Sequence, residues 1–396
     1  MKSRWMLIVV LCLSLTAVLV PPTTAQGPET NIIAGCVENY DPNVDYFPQK
    51  ATVKVSDGFS VEYFSNYKVV TVNEPWTDGV PIEYVLVQCG TPAPEMEDGA
   101  NVIEVPRTTL VSMSTTYLPF IVELGLLDNL VGLDAPDYVS TPEVREKIDA
   151  GELVTIGSGA EVNVEAVLDL DPSLIMTYGS GSPDYDAHPV LIEAGLPVVL
   201  NAEYMDTSPL GRAEWLKFIA LFFNLEAEGE TLFDDIAAQY NELTAMTADL
   251  EERPTVFTNT PYDGTWYMPG GNSFVAKLLA DAGADYLWSD DESTGSLYLD
   301  FETVFERAAD ADFWVNAGGF WFSLDDALAE DERFEQFAAF QNGNVWSNNL
   351  ALNEFGGNDY WEGGVANPQL VLADLIAIFH PDLLPDHEFV YYQQLQ

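Results

Sequence analysis

The chain has 396 residues, of which 14 are Lys or Arg and 64 are Asp or Glu, for a formal net charge of −50. This charge argues against nucleic-acid binding and against docking on anionic lipid, because both depend on clustered cations. An apolar content of 47% and an aromatic content of 12% are those of a folded protein, so the acidity does not indicate disorder. The negative charge fits a well-solvated surface that stays soluble in a saline habitat, or a partner with basic contact sites.

Residues 1–25 are predicted to be a signal peptide. Lys2 and Arg4 precede an apolar run over residues 6–20, which is followed by two prolines and small residues. The run is too short to favour a membrane span. Its removal takes away two cations and no acids, so the mature chain carries −50 − 2 = −52. We therefore expect an exported protein, periplasmic or extracellular.

The remaining cysteines allow two interpretations. Cys12 leaves with the signal peptide, and Cys36 and Cys89 form the expected disulfide of an oxidising compartment. The alternative is a lipobox, because residues 33–36 read IAGC; a lipidated Cys36 would become the mature N-terminus and anchor the protein to the membrane. Cys36 lies well beyond the apolar run, which favours the disulfide.

A β-rich N-terminal lead-in is predicted over residues 26–105. Four runs rich in β-branched and aromatic residues predict strands, separated by turn residues: 51–55, 60–64, 67–72 and 82–88. A bridge between Cys36 and Cys89 would tie the start of this region to its last long strand.

From Thr109 onward, short strands alternate with helices, which predicts a parallel sheet covered by helices. The helix over 141–151 opens with Thr141 as N-cap and Pro142 at its first position. Residues 209–251 lack strand patterns, and the helix predicted over 227–252 would span roughly 39 Å at ~1.5 Å per residue. Strands and helices alternate again after residue 254.

These observations divide the chain into five predicted parts. Besides the signal peptide and the lead-in, they are a first α/β lobe, a long connecting helix and a second α/β lobe, at residues 106–225, 226–252 and 253–396. The predicted fold class is α/β, with two lobes on parallel-type sheets joined by one long helix, plus the lead-in.

Four segments in this order resemble the periplasmic solute-binding proteins of ABC importers for ferric siderophores, haem and cobalamin. The likeness covers about residues 106–384 and is carried by 105–134, 162–179, 270–288 and 337–349, the last reading FAAFQNGNVWSNN. The resemblance implies a ligand held in a preformed cleft between two rigid lobes, with a siderophore as the first expectation and haem or cobalamin as alternatives. It implies a monomer without a covalent cofactor, whose partners are a small-molecule metal complex and a membrane permease. Glu165 and Glu302, one in each lobe, match the family's permease-docking glutamates.

Ligand contacts are expected from aromatic and polar residues where strands end or loops cross the cleft. The candidates are Tyr117, Tyr178, Tyr185, Tyr204, Arg212, Tyr262, Trp266, Tyr267, Trp346, Asn348, Tyr360 and Trp361. Arg212 suits an anionic group on the ligand, or else it forms a structural ion pair near Glu214 and Lys217.

Other functions fit the residues less well. His188, His380 and His387 form no ligand-spaced cluster, so direct metal binding is not expected; an axial ligand to haem would be His188 or Tyr117. The chain has no G-x-S-x-G or Walker motif and is not expected to be an enzyme. The alternative is a secreted carbohydrate-binding or adhesion module with aromatic loops, which would not need a long helix between two α/β halves.

Overall fold

A computed structural model describes residues 27–96 and 99–396, so the predicted signal peptide lies outside the described residues. The lead-in forms a four-stranded sheet in the order β1-β2-β3-β4. Its strands are β1 (Phe59–Tyr63), β2 (Tyr67–Val72), β3 (Ile82–Gln88) and β4 (Asn101–Val105). The first three strands pair antiparallel, and β4 runs parallel to β3.

A second, fully parallel sheet forms the core of the first lobe, in the order β7-β6-β5-β8-β9. Its strands are β5 (Leu110–Ser112), β6 (Leu130–Leu133), β7 (Val154–Thr155), β8 (Leu174–Thr177) and β9 (Val198–Leu200). The helices between them are α1 (Leu118–Glu123), α2 (Pro142–Asp149), α3 (Val164–Leu170) and α4 (His188–Glu193). The predicted alternation of strand and helix is confirmed here.

Two consecutive helices, α5 (Pro209–Phe223) and α6 (Glu226–Thr247), lead out of the first lobe. Ser208 caps α5 by accepting from the Gly211 N–H, and Asn224 ends it in the left-handed conformation at φ 59°. Nearly every residue of α5 is buried, in keeping with its apolar sequence. The 22 residues of α6 span roughly 33 Å, and the helix ends before the predicted limit of 252.

The second lobe has a parallel sheet in the order β13-β10-β15, an antiparallel sheet β11-β12-β14 and a short pair β16-β17. Its strands are β10 (Thr255–Thr258), β11 (Pro261–Tyr262), β12 (Thr265–Pro269), β13 (Asp285–Tyr286), β14 (Ser296–Leu299), β15 (Phe313–Val315), β16 (Trp346–Ser347) and β17 (Gln393–Gln394). Its helices are α7 (Phe274–Asp281), α8 (Phe301–Ala308), α9 (Leu324–Glu330), α10 (Ala338–Gln341), α11 (Gly363–Ala366) and α12 (Pro368–Phe379).

Residues 51–55 were expected to form a strand, and this prediction is wrong. The backbone N–H groups of Lys54, Val55 and Ser56 donate instead to the carboxylate of Glu214 on α5, at 2.8, 2.7 and 2.8 Å. Because these donors are satisfied by a side chain, the segment has no need of a partner strand.

Buried charges join the lead-in to α5 and α6. Lys217, fully buried, lies 2.9 Å from Glu214 and donates to the Thr52 carbonyl at 2.8 Å. Lys68 of β2 and Glu226 of α6 form a second fully buried ion pair. The Glu214–Lys217 pair is the i,i+3 contact considered as the structural alternative in the sequence, and here it holds the lead-in against the helix.

Cys36 and Cys89 are joined by a disulfide, with their Cα atoms 4.9 Å apart. Apolar packing accompanies it, since Phe59 of β1 contacts Trp215 of α5 with ring centroids 4.8 Å apart. The lead-in is therefore an integral layer on the first lobe and not a separate appendage.

A buried carboxylate of the second lobe is hydrogen-bonded to the first lobe. Glu362 accepts from the Ser140 N–H at 2.9 Å and from the Thr141 N–H at 2.6 Å, and the Thr141 hydroxyl also donates to it. The expected side-chain cap by Thr141 is absent from α2. Glu362 takes its place as the hydrogen-bond acceptor at the helix N-terminus.

Among the helices within residues 27–96 and 99–396, none is both long enough and apolar enough to cross a bilayer.

Candidate ligand cleft

A pocket of about 310 Å³ opens at the carboxyl ends of β5, β8 and β9. Three loops that follow these strands supply its walls: Ser114, Thr116, Tyr117, Tyr178, Gly179, Ser180, Glu203 and Tyr204. We call it the first-lobe pocket. Three of the predicted ligand residues, Tyr117, Tyr178 and Tyr204, are brought together in it.

Glu203 is the charged residue that lines this pocket. Its side chain is only 4% exposed, and its Oε1 accepts from the Thr116 hydroxyl at 2.7 Å. Its Oε2 is buried and has no hydrogen-bond partner among the described residues. Burial raises the pKa of Glu203, partly offset by the Thr116 hydrogen bond and the charge of Arg212.

The tyrosines differ in what their hydroxyls do. Tyr117 is fully buried and donates to the Asn201 carbonyl at 2.9 Å, and Tyr204 donates to the Gly179 carbonyl at 2.5 Å. Burial and the charge of Glu203 raise the pKa of Tyr204 to about 12 and that of Tyr117 well above its ordinary value. Both side chains are therefore neutral phenols that contribute their rings to the wall.

Negative charge surrounds the pocket. The carboxylates of Glu203 and Asp134 act on Tyr117, and those of Glu203, Asp186 and Glu74 act on Tyr204. Burial raises the pKa of Asp134 to about 6. The potential at the pocket is consequently set by several carboxylates.

Arg212 lies beside the pocket, at the start of α5. Its guanidinium donates to the carbonyls of Asp206 and Tyr204, each at 2.8 Å, and stacks over the Phe274 ring of the second lobe at 4.1 Å. In the described part of the chain no carboxylate pairs with it. Arg212 therefore matches neither of the two expected arrangements completely. Its guanidinium holds the loop that carries Glu203 and contacts the second lobe.

The lead-in reaches the edge of the pocket through Trp76. A Cβ atom on Gly179 would lie 2.7 Å from the Trp76 ring, and one on Gly181, at φ +76°, would lie 2.8 Å from it. Only glycine allows the loop after β8 to pass this closely under the indole. Trp76 also stacks on His188, with ring centroids 5.6 Å apart.

The second lobe presents polar residues around Tyr360. Its side chain is buried, with its ring 5.7 Å from that of Tyr392, and the Tyr392 hydroxyl donates to Asn316. Burial raises the pKa of Tyr360, and Arg212 and Asn348 are among the groups that lower it. Tyr360 is therefore near enough to Arg212 for the charge of the guanidinium to act on it, and Asn348 lies beside Tyr360.

Several candidates lie elsewhere. Trp266 is fully buried among core aromatics, its indole N–H donates to the Thr258 carbonyl, and it does not line the pocket. The loop expected to carry it is the β11–β12 hairpin. Trp346 packs on Phe389 beside the β16–β17 pair. The remaining aromatic candidates are exposed by 39 to 76% and do not line the pocket: Tyr185, Tyr262, Tyr267 and Trp361.

The two residues considered as axial ligands for haem lie in different surroundings. The Tyr117 hydroxyl is taken by a backbone carbonyl. His188 lines a different cavity, with Trp76 and Tyr84 on the side of the lead-in, and burial lowers its pKa.

The predicted docking glutamates are surface residues. Glu165 is exposed in the first turn of α3, and Glu302 is exposed in the first turn of α8. Glu302 lies 3.2 Å from Arg333, whose guanidinium also contacts Asp331.

Sequence reasoning missed Glu203 and Trp76. Glu203 lies three residues after the end of β9, in the region where parallel strands present functional side chains. This placement could have identified it, whereas Trp76 has no local pattern that points to a loop about 100 residues away.

Comparison with known proteins decides the family. A family model described as "Periplasmic binding protein" matches residues 110–347. The chain belongs to the periplasmic binding protein family. Among its relatives is an uncharacterized lipoprotein of Methanocaldococcus jannaschii, 29% identical over 302 residues, which are 73% of this chain and 69% of the relative.

Solved structures show the same fold. A possible iron-binding, periplasmic solute-binding protein of Staphylococcus epidermidis superposes with a TM-score of 0.56 at 16% identity, over 69% of this chain and 99% of the other. A periplasmic haem-binding protein of Pseudomonas aeruginosa does so with a TM-score of 0.54 at 18% identity, over 73% and 98%. The predicted family and the predicted two-lobed α/β fold are confirmed. Membership of this family favours the solute-binding hypothesis over a carbohydrate-binding or adhesion module.

Proposed function

We propose that this binding protein captures an iron complex between its lobes, a ferric siderophore first and haem or cobalamin as alternatives, and delivers it to an ABC permease. The observation that carries the proposal is the first-lobe pocket, in which Tyr117, Tyr178 and Tyr204 meet at the ends of three parallel strands. Pockets built from aromatic rings with a few polar groups suit the flat, partly apolar surface of a chelate.

Tryptophan fluorescence of purified residues 26–396 tests this proposal by titration with ferric siderophores of different classes, haemin and cobalamin. One chelate should quench the fluorescence with a Kd in the micromolar range or below. Tyr178→Ala should weaken that binding at least tenfold, a loss of ~1.4 kcal/mol. Tyr298→Ala is the matched control, because Tyr298 is 74% exposed on β14. A flat response to every compound would refute the receptor role.

Arg212→Ala separates two roles for the arginine. Because the guanidinium holds the carbonyls of Tyr204 and Asp206, the substitution should loosen the loop that carries Glu203. We expect weaker binding of neutral and anionic chelates alike. Loss of binding confined to anionic chelates would instead indicate direct contact with the ligand.

Delivery is proposed to use Glu165 and Glu302, which would pair with arginines of the permease. Each carboxylate sits in the first turn of its helix, where the dipole favours negative charge, and can meet a guanidinium through two hydrogen bonds. Glu165→Arg with Glu302→Arg should abolish chelate uptake in cells that carry the permease and leave binding by the purified protein unchanged. Glu193→Arg on α4, also exposed, is the control.

The proposed location is outside the cytoplasm. The disulfide between Cys36 and Cys89 supports secretion without lipidation of Cys36, because acylation would consume the same thiol. Relatives described as lipoproteins favour the anchored alternative. Mass spectrometry of the protein from its native membrane or medium distinguishes the two: a diacylglycerol adduct on Cys36 would refute the free form.

A further inference from the structure

The burial of the Glu203 carboxyl group is unfavourable in free energy. A carboxylate that is 96% buried and bonded through one oxygen alone loses much of its hydration free energy. Its second oxygen is buried and lacks a partner among the described residues, and the Glu203 residue itself lines the pocket. A buried carboxyl group at a cleft with one oxygen lacking a hydrogen-bond partner is a typical mark of a ligand-binding group.

The neighbouring groups do not supply the missing partner. Arg212 is close enough for its charge to act on Glu203, yet its guanidinium donates to two backbone carbonyls and stacks on Phe274. Thr116 satisfies the other oxygen, and Tyr204 directs its hydroxyl to Gly179. A hydrogen-bond donor for Oε2 would therefore have to come from outside the chain.

The rest of the pocket suits a donor that carries positive charge. Asp134, Asp186 and Glu74 add to the negative potential that Glu203 creates. Three tyrosine rings line the same space, and the faces of aromatic rings attract cations. An anionic group placed here would meet these carboxylates, and the guanidinium of Arg212 beside the pocket is already bonded to two backbone carbonyls.

We propose that the ligand presents a protonated amine, or another cationic group of a metal chelate, to the Glu203 carboxylate in the first-lobe pocket. The inference rests on the proposed function and narrows its ligand class: cationic or amine-bearing ferric hydroxamates fit, whereas ferric catecholates and haem, with its propionates, do not. The pocket volume of about 310 Å³ accommodates an arm of such a chelate, with the metal centre closer to the second lobe.

Two chelates that differ in one charge provide the test. The ferric complex of desferrioxamine B carries a pendant primary amine, and N-acetylation of that amine removes the charge and keeps the iron-binding groups. We expect the amine form to bind at least tenfold more tightly to residues 26–396 in calorimetric titrations. In Glu203→Gln, which retains an acceptor for Thr116, the difference should fall to threefold or less. Glu193→Gln, on the exposed end of α4, should preserve it.

The possible outcomes separate the cationic-ligand inference from the proposed receptor role. Equal binding of the two trihydroxamates, or tighter binding of a ferric tricatecholate or haemin, would overturn the cationic-ligand inference and leave the receptor role intact. A preference for the amine form that persists in Glu203→Gln would also overturn it. No binding of any chelate would refute the proposed function itself. Thermal melts of each variant verify that Glu203→Gln is folded.

Discussion

Lys217→Met should destabilise the protein far more than removal of a surface lysine. Lys217 is fully buried, and its ammonium lies 2.9 Å from Glu214 and 3.4 Å from Glu230. The substitution leaves the Glu214 carboxylate buried with only its three backbone donors from the lead-in. Removing one partner of a buried pair costs about 3–5 kcal/mol, because the other charge stays desolvated.

Urea unfolding followed by circular dichroism measures this cost. With an m value of roughly 2–3 kcal/mol/M, the expected loss lowers the transition midpoint by ~1–2.5 M. Lys277→Met is the matched control, since Lys277 pairs with Asp281 at i,i+4 on α7 and is 52% exposed; exposed pairs contribute about 0.3–0.5 kcal/mol.

A double variant, Lys217→Met with Glu214→Gln, tests the mechanism. It removes both charges, so it should cost less than the sum of the two single substitutions. If Lys217→Met falls within 1 kcal/mol of Lys277→Met, or if the two substitutions are additive, then buried charge does not hold the lead-in to α5 and this account of the interface is wrong.

Three further results are expected. Reduction of the Cys36–Cys89 disulfide, which spans 53 residues, should lower the free energy of unfolding by about 4 kcal/mol through loop entropy, and a midpoint unchanged by dithiothreitol would contradict this. Trp76→Ala should raise the Kd for the bound chelate several-fold in calorimetry because the loop at Gly179 loses its cover; an unchanged Kd would show that the lead-in does not shape the pocket. Burial raises the pKa of Glu362 from 4.5 to about 7, so between those values the folded state holds a proton that the unfolded chain has lost. The free energy of unfolding should therefore fall as pH rises through this window, more steeply in the native protein than in Glu362→Gln, and parallel urea-melt profiles would refute the assignment.

The sequence predicted the α/β units because their periodicity is local. Strands such as β8 and helices such as α2 follow from buried runs, prolines and terminal glycines within a dozen residues. The segment 51–55 failed because its donors are satisfied by Glu214, some 160 residues away. A contact between residues this far apart in the chain cannot be predicted from a local sequence pattern.

The β11–β12 hairpin could have been anticipated. Asp263 and Gly264 both have positive φ, at 49° and 78°, as in the tight turns that Asp-Gly favours between strands. We expected an open aromatic loop there, so Trp266 was placed at the ligand when it packs in the core. Aromatic residues beside glycine are ambiguous until the pairing of the strands is known.

Part of the pocket could be predicted, because the sequence pattern indicates where each strand ends. Tyr117, Tyr178 and Tyr204 each follow a predicted strand closely and meet in the structure. Glu203 was missed because, among 64 acidic residues, a single carboxylate does not stand out by type. Only its burial and its unbonded oxygen distinguish it from the solvated majority.

The most direct test of the account is the position of iron in a crystal of residues 26–396 grown with the chelate that binds most tightly. Data collected at the iron absorption edge locate the metal without reference to the protein phases. We predict one anomalous peak between the lobes, next to the first-lobe pocket, with part of the chelate in contact with Tyr178 and Glu203. A peak outside the space between the lobes, or a chelate that binds tightly without touching this pocket, would contradict the account.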